Sequence, residues 1–146
     1  MIALIQRVSR ASVEVDGQTR GAISRGILAL IGVEATDSAA SATRLLEKVC
    51  SYRIFPDDGG RMNLDVRQIG GGLLLVPQFT LVADTSKGTR PGFSGGAPPA
   101  KARELFEGLL EAAQAAHSPV AGGVFGADMQ VHLVNDGPVT FLLKAT

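Results

Sequence analysis

The run Ile27–Val33 (Ile-Leu-Ala-Leu-Ile-Gly-Val) restricts the fold of this chain more than any other feature. It is far shorter than the ~20 residues needed to cross a bilayer. It does not alternate, so it suits a strand covered on both faces. A similar run, Leu73–Val76, follows Gly70-Gly71-Gly72. Two such strands require structure on each side of one sheet, and the rest of the chain has to supply it.

Further strands are legible around them. Ala11, Val13 and Val15 alternate with Ser12 and Glu14, a period of two. Asp16-Gly17 is a hairpin signal, with Gln18–Ile23 as the return strand. Ile2–Val8 reads as an opening strand. Met129–Leu133 and Val139–Leu143 read as closing strands, separated by the turn residues Asn135-Asp136-Gly137-Pro138. Pro56-Asp57-Asp58-Gly59-Gly60 is another turn, in which the paired carboxylates read as solvated.

Two helices are expected. Ala42, Leu45, Leu46, Val49 and Cys50 fall at helical spacing within Ser38–Tyr52, with Thr36 or Asp37 as the cap. Ala102, Leu105, Phe106, Leu109, Leu110 and Ala113 form a second apolar stripe, preceded by Pro98-Pro99 and followed by Pro119. His117 falls at its C-terminal end, where the helix dipole favours a cation. Between Val82 and this helix, Ala83–Pro99 is rich in glycine and proline and reads as a long functional loop. The expectation is a single mixed α/β domain over residues 1–146, with many short strands and two main helices.

Composition narrows the function. The chain has 14 Lys plus Arg and 14 Asp plus Glu, so its net charge is zero. That argues against wholesale coating of nucleic acid and leaves room for a local patch. Lys87, Arg90, Lys101 and Arg103 stand against the single acid Asp84 between Ala83 and Arg103. They suit a few phosphate contacts, or else an incidentally charged solvated loop. Cys50 is the one cysteine, which rules out an intrachain disulfide and a cysteine-based zinc site, and reads as a small core residue. With only His117 and His132 besides, no ligand cluster supports a metal, and no cofactor is expected. His132 reads as an exposed strand residue. Met1–Arg7 lacks the basic head and cleavage site of a signal peptide, so a soluble cytoplasmic protein is expected.

Familiar catalytic patterns are missing. There is no Gly-x-Ser-x-Gly elbow and no His-Glu-x-x-His, and no helix pattern follows Gly70-Gly71-Gly72 as a phosphate loop requires. An enzyme built from these residues would work mainly through positioning and backbone donors. Glycine makes up 18 of 146 residues, about 12% against a usual ~7%, and lets backbone approach a ligand closely. Gln78-Phe79-Thr80 ends an apolar strand just before the long loop, where sites are commonly built. Thr80 offers a hydroxyl nucleophile without a base nearby in sequence, or it is a strand-end threonine satisfied by backbone. Gly137-Pro138 reads as an ordinary trans turn on sequence alone, since about 5–6% of X-Pro bonds in folded proteins are cis.

These segments carry a resemblance. Ala3-Leu4-Ile5-Gln6-Arg7-Val8, Tyr52-Arg53-Ile54-Phe55, Met62-Asn63-Leu64, Gln78-Phe79-Thr80-Leu81, Arg90-Pro91, Phe125-Gly126-Ala127-Asp128-Met129 and Asn135-Asp136-Gly137-Pro138-Val139-Thr140 occur in that order. The chain resembles, end to end, the D-aminoacyl-tRNA deacylases, also called D-tyrosyl-tRNA(Tyr) deacylases. The resemblance implies a homodimer of β-barrel-like α/β subunits with active sites at the subunit interface. It implies hydrolysis of the ester between a D-amino acid and the 3′-terminal adenosine of tRNA, a proofreading step that keeps D-amino acids out of translation. Gly137-Pro138 would then be cis and reach into the partner's pocket to reject L-aminoacyl-tRNA. Gln78, Phe79 and Thr80 would be catalytic, and Met129, Arg7, Lys87 and Arg90 would bind substrate. Aminoacyl-tRNA is the implied partner, with no membrane and no DNA. Two departures stand out. The family usually has serine where this chain has Pro77, and often serine where it has Gly92, which would loosen that loop. A gate that tests only the Cα substituents cannot exclude glycine, so hydrolysis of glycyl-tRNA is expected. A non-catalytic RNA-binding module and a small-molecule hydrolase with a glycine-rich lid are the competing classes.

Overall fold

The computed structural model describes all 146 residues. Its spine is β1 (Ile2–Val15), a 14-residue strand that merges the two opening strands expected from sequence. Its first half, Ile2–Val8, pairs antiparallel with β3 (Gly26–Gly32), and its second half, Ala11–Val15, with β2 (Gln18–Ile23). Beyond β3, β6 (Gly72–Pro77) and β7 (Val120–Gly122) continue the sheet in parallel. Along the other edge of β1 runs β8 (Gln130–Lys144). The two closing strands are thus one, and Met129 falls just before it. The turn expected between them is an excursion within one strand, which pairs with β1 on either side of it. The sheet rolls until β2 meets β7, where a Cβ on Gly21 would lie 3.0 Å from the Gly122 carbonyl oxygen. The result is a nearly closed barrel. A short hairpin, β4 (Phe55–Pro56) with β5 (Met62–Leu64), stands apart.

The apolar strands are covered on both faces, as their composition requires. Ile27, Ala29 and Ile31 of β3 and Leu73 and Leu75 of β6 face the helices α1 (Ala39–Ser51) and α2 (Pro99–Ala116). Leu28, Leu74 and Val76 point into the barrel with Val8, Ala11, Val13 and Ile23. Strand β1 serves both layers because its phase flips. Met1, Ala3 and Ile5 belong to the helix side, while Ala11 and Val13, of the same parity, belong to the barrel interior. The ladder with β8 shifts register twice between Gln6 and Arg10, which reverses the faces.

Helix α2 buries Ala102, Phe106, Leu109 and Ala113, the stripe seen in sequence. Complete burial of a side chain such as Phe106 contributes roughly 1.5–3 kcal/mol. In α1 the cap is Ser38, not Thr36 or Asp37. The Ser38 hydroxyl accepts from the Ser41 N–H while the Ser41 hydroxyl accepts from the Ser38 N–H. Asp37 is occupied elsewhere: its carboxylate is buried against the Met1 ammonium at 2.5 Å and the Glu34 N–H at 2.7 Å. His117 caps α2, and its ring nitrogen lies 2.6 Å from the Gly71 carbonyl oxygen. His132 is exposed, 3.5 Å from Glu14. No helix is long and apolar enough to cross a membrane.

Candidate active site

Strand β6 delivers Gln78-Phe79-Thr80 to the rim of the barrel. The Gln78 N–H donates to the Ile31 carbonyl at 2.8 Å, the last rung of the parallel ladder. The chain then tightens into a 3-10 turn, Phe79–Val82, in which Leu81 and Ala83 donate to Gln78 and Thr80. Gly32 makes room for it, because a Cβ there would lie 2.8 Å from Val82 Cγ1. A helix start leaves its first N–H groups without intrahelical partners. Here these are the N–H groups of Phe79 and Thr80. The Thr80 hydroxyl accepts from the Gln78 side-chain amide, and no histidine or carboxylate is bonded to it. Within one subunit the Thr80 hydroxyl thus has a donor beside it but no base.

Two adjoining cavities open on this turn. One, of about 360 Å³, reaches toward Val82, Phe93 and Phe106, and the other, of about 470 Å³, toward Gly126, Met129 and Val131. Gln78 and Phe79 border both. Phe79 is 66% exposed and Phe93 44%, with ring centroids 5.3 Å apart, so two aromatic faces stand at the mouth. Met129 lines the second cavity, its sulfur accepting from the Val124 N–H at 3.4 Å. A more open groove of about 630 Å³ between β1, β2 and β8 lies away from this turn and holds none of the expected catalytic residues.

The long loop is better tied than its composition implies. Asp84 and Gly92 exchange two backbone hydrogen bonds of 2.7 and 3.0 Å, and Ala35 and Ala97 bond to Gly95 and Val33. Gly92 takes part through its backbone alone, so these bonds need no side chain there. The Ser86 hydroxyl and N–H beside Asp84 hold its carboxyl below the ordinary value. Lys87 and Arg90 lie on the exposed tip, free of ion pairs. The other two basic residues of the segment are committed, Lys101 to the Ala35 carbonyl and Arg103 to Glu107 and the Phe125 ring.

Arg7 and Gly137-Pro138 form a separate constellation. The Gly137-Pro138 bond is cis, as the resemblance implied and against the trans turn read from sequence alone; Ser118-Pro119 is cis as well. Strand β8 leaves the ladder after Asn135, opposite Val8, and returns at Thr140, opposite Gln6. Arg7 sits beneath the excursion and donates to the Asp136 carbonyl at 2.9 Å and the Ile54 carbonyl at 2.7 Å. In one subunit this group does not meet Gln78-Phe79-Thr80. Gln78 is level with Gly32 and Ile2, whereas Gly137 faces Arg7 three strands away. Along the sheet, five residues at about 3.4 Å and three strand spacings of about 4.8 Å put roughly 20 Å of path between them.

Sequence reasoning assigns no site role to Phe93, Phe125 or Asn135: Phe93 lies in a stretch notable for charge and glycine, and Phe125 and Asn135 enter as members of the segments that carry the resemblance, Asn135 also as a turn residue. Asp57 is a turn residue, as the sequence implies: the Asn63 amide and the Arg61 and Gly59 N–H groups around it lower its carboxyl. Burial pushes the Cys50 thiol up, which fits its core placement.

Comparison with known proteins adds to this geometry. The D-Tyr-tRNA(Tyr) deacylase family matches residues 4–144. A D-aminoacyl-tRNA deacylase of Methylococcus capsulatus is 61% identical over 144 residues, covering 99% of this chain and 94% of that protein. Among solved structures, one titled c-Myc DNA Unwinding Element Binding Protein superposes with a TM-score of 0.94 at 36% identity, covering 100% of this chain and 99% of that one. A probable eukaryotic D-amino acid tRNA deacylase shares the fold, with a TM-score of 0.84 at 14% identity over 97% of each chain.

Proposed function

Because the chain belongs to the D-Tyr-tRNA(Tyr) deacylase family, we propose that it hydrolyses the ester joining a D-amino acid to the 3′-terminal adenosine of tRNA. The observation that carries this reading is the pair of N–H groups, Phe79 and Thr80, left open at the start of a 3-10 turn beside two cavities. An aminoacyl ester needs little activation. Water adds to its carbonyl carbon, the carbonyl oxygen takes the negative charge, and the two N–H groups hold it. The bond to the ribose 3′-oxygen then breaks, and the proton lost by water passes to that oxygen, helped by the neighbouring 2′-hydroxyl. One oxyanion donor is worth roughly 10²–10³ in rate. Gln78 holds the Thr80 hydroxyl, so Thr80 acts through its backbone and not as a covalent nucleophile. Met129 shapes the pocket wall, and Lys87 and Arg90 meet the phosphates of the tRNA 3′ end.

Stereoselection is assigned to Gly137-Pro138 of a second copy. The support is the path of roughly 20 Å along the sheet within one subunit, worked from strand spacings, together with the exposed apolar residues of β8. Val131, Val134, Phe141 and Leu142 stand on that strand next to its unpaired edge. In a homodimer the main-chain oxygens of Gly137-Pro138 hold the substrate α-amino group. The D side chain is directed to solvent, and the L side chain meets protein. Such a gate ignores side-chain identity and admits glycine.

Deacylation of D-tyrosyl-tRNA against L-tyrosyl-tRNA tests the reading, with glycyl-tRNA as a third substrate. Fast release from the D ester, little from the L ester and measurable release from the glycyl ester are expected. No release at all would mark an RNA-binding module, and equal release a generic esterase. Thr80→Ala should retain a substantial rate, whereas complete loss would make Thr80 the nucleophile. A 2′-deoxy terminal adenosine measures the share of the substrate hydroxyl.

A further inference from the structure

We propose that the Asn135 side chain is a positioning residue for stereoselection, a claim that rests on the role assigned to Gly137-Pro138. Residues 136–139 leave the β1–β8 ladder opposite the single residue Arg7, so they lose the strand partners that would fix them. Arg7 takes up the Asp136 carbonyl, and Asn135 takes the place of a strand partner for Val139. Its Oδ1 accepts from the Val139 N–H at 2.7 Å, and its Nδ2 donates to the Val139 carbonyl at 3.3 Å and to Thr140 Oγ1 at 3.0 Å. The side-chain amide bonds both polar groups of one residue, as a facing peptide does in an antiparallel pair. The orientation of the amide is set by this pattern, since only the oxygen can face an N–H and only the nitrogen a carbonyl.

Val139 is the right residue to hold. A Cβ on Gly137 would lie 2.7 Å from Val139 N and 2.7 Å from Val139 Cγ2, and Gly137 has φ +151°. Gly137 and Val139 are therefore in close contact across Pro138. Fixing the Val139 backbone fixes the direction in which the Gly137 and Pro138 carbonyls point. No other residue type supplies the whole set. Asp keeps the acceptor and loses the donor, Ser is too short to span both groups of Val139, and Gln is one methylene too long. A gate that compares a hydrogen atom with a side chain on Cα tolerates little displacement, because a 1 Å error in a positioned group can cost on the order of 10²-fold.

The test is the ratio of kcat/KM for D-tyrosyl-tRNA over L-tyrosyl-tRNA in Asn135→Ala and Asn135→Asp, with thermal melts of each protein. Asp65→Ala serves as a control that weakens the fold at a distant turn, where the Asp65 carboxylate accepts from the Arg67 and Gln68 N–H groups. The expected order of the ratio is unsubstituted protein, then Asn135→Asp, then Asn135→Ala, with a fall of at least about tenfold in the last. Asp65→Ala should lower the melting temperature and leave the ratio intact. A folded Asn135→Ala protein with an undiminished ratio would overturn the proposal, as would a ratio that falls in parallel with melting temperature across all three variants. If Asn135→Ala does not fold, an unchanged ratio in Asn135→Asp overturns it equally. Absence of D-over-L preference in the unsubstituted protein would instead sink the assignment of Gly137-Pro138 on which this one stands.

Discussion

Replacing one glycine by alanine should have opposite effects at two sites in this chain, and the structure gives the size of each. Gly26 and Gly72 open the parallel ladder between β3 and β6 as directly paired residues. A Cβ on Gly26 would overlap the Gly72 carbonyl oxygen and lie 2.6 Å from its nitrogen and 2.8 Å from its carbonyl carbon. These are backbone atoms, so no rotamer change relieves the contact and the ladder must part. Parting it disturbs the bond from the Gly72 N–H to the Arg25 carbonyl, now 2.9 Å. A lost hydrogen bond costs about 1 kcal/mol, and overpacking adds typically 1–3 kcal/mol. Gly26→Ala should therefore destabilise by about 2–4 kcal/mol, a large part of the 5–15 kcal/mol that holds a typical domain together. Gly108 is the counterpart. It lies exposed within α2 with nothing inside 4 Å of an added Cβ. Alanine there should stabilise by about 0.8–1.0 kcal/mol, which raises the melting temperature by roughly 2–4 °C at this chain length. Urea unfolding followed by far-ultraviolet circular dichroism reads both. A Gly26→Ala midpoint equal to that of the unsubstituted protein, at unchanged m, would refute the close-approach reasoning.

Other substitutions probe the turn, the loop and an acidic cap. Gly32→Ala should push Val82 Cγ1 and Leu81 Cβ, which lie 2.8 and 3.3 Å from the new carbon, and so shift the 3-10 turn; kcat for D-tyrosyl-tRNA should fall more than KM changes, and steady-state kinetics decide it. Lys87→Ala with Arg90→Ala should raise KM for aminoacyl-tRNA and flatten its dependence on log salt by about 1.4, two single-strand phosphate contacts at ~0.7 each. Burial pushes the Asp65 carboxyl up, but the Gln68 N–H and the Arg67 guanidinium and N–H outweigh it and hold it below its ordinary value of 3.8. Its contribution is thus complete above about pH 4 and is lost as pH falls through the depressed value. The stability gap between unsubstituted protein and Asp65→Asn, measured in urea, should be present at pH 6 and close toward pH 2.

What could be read in the sequence was what repeats locally. The unbroken run Ile27–Val33 implied a strand covered twice, and it is. The Ala102–Ala113 stripe implied α2, and its buried residues match. What escaped depends on residues far apart in the chain. Nothing near Gly26 says that Gly72 will lie against it, so the glycine excess read as room for a ligand also brings backbone against backbone. The phase flip of β1 falls at Ser9 and Arg10, both exposed, between the two strands that the sequence implies. The sequence offers Thr36 or Asp37 as the cap of α1, but Ser38 caps it and the distant Met1 ammonium claims Asp37. The site followed the same rule. Gln78-Phe79-Thr80 stood out because a polar segment ended an apolar strand, yet the partner of Phe79 is Phe93, and the partner of Val139 is the side chain of Asn135.

The proposed backbone oxyanion site accounts both for the absence of a catalytic constellation in the sequence and for the geometry of the turn. A side-chain nucleophile or base leaves a composition signal, because only a few residue types can serve. An N–H group does not, since every residue but proline carries one. Pro77 makes the point within the site itself: at the position before Gln78 this chain offers neither a hydroxyl nor an N–H, so the chemistry cannot depend on a donor there. The two open N–H groups come after it, at Phe79 and Thr80, and they exist because β6 ends in a 3-10 turn and not because of what those side chains are. Truncating side chains one at a time will therefore under-read this site. Its donors respond to whatever moves the backbone, which is Gly32 beneath the turn and the β3–β6 ladder behind it. Under the oxyanion role proposed for these N–H groups, fold and catalysis share one hydrogen-bonded frame, so activity should follow the register of β6 more closely than the identity of the residues at the rim.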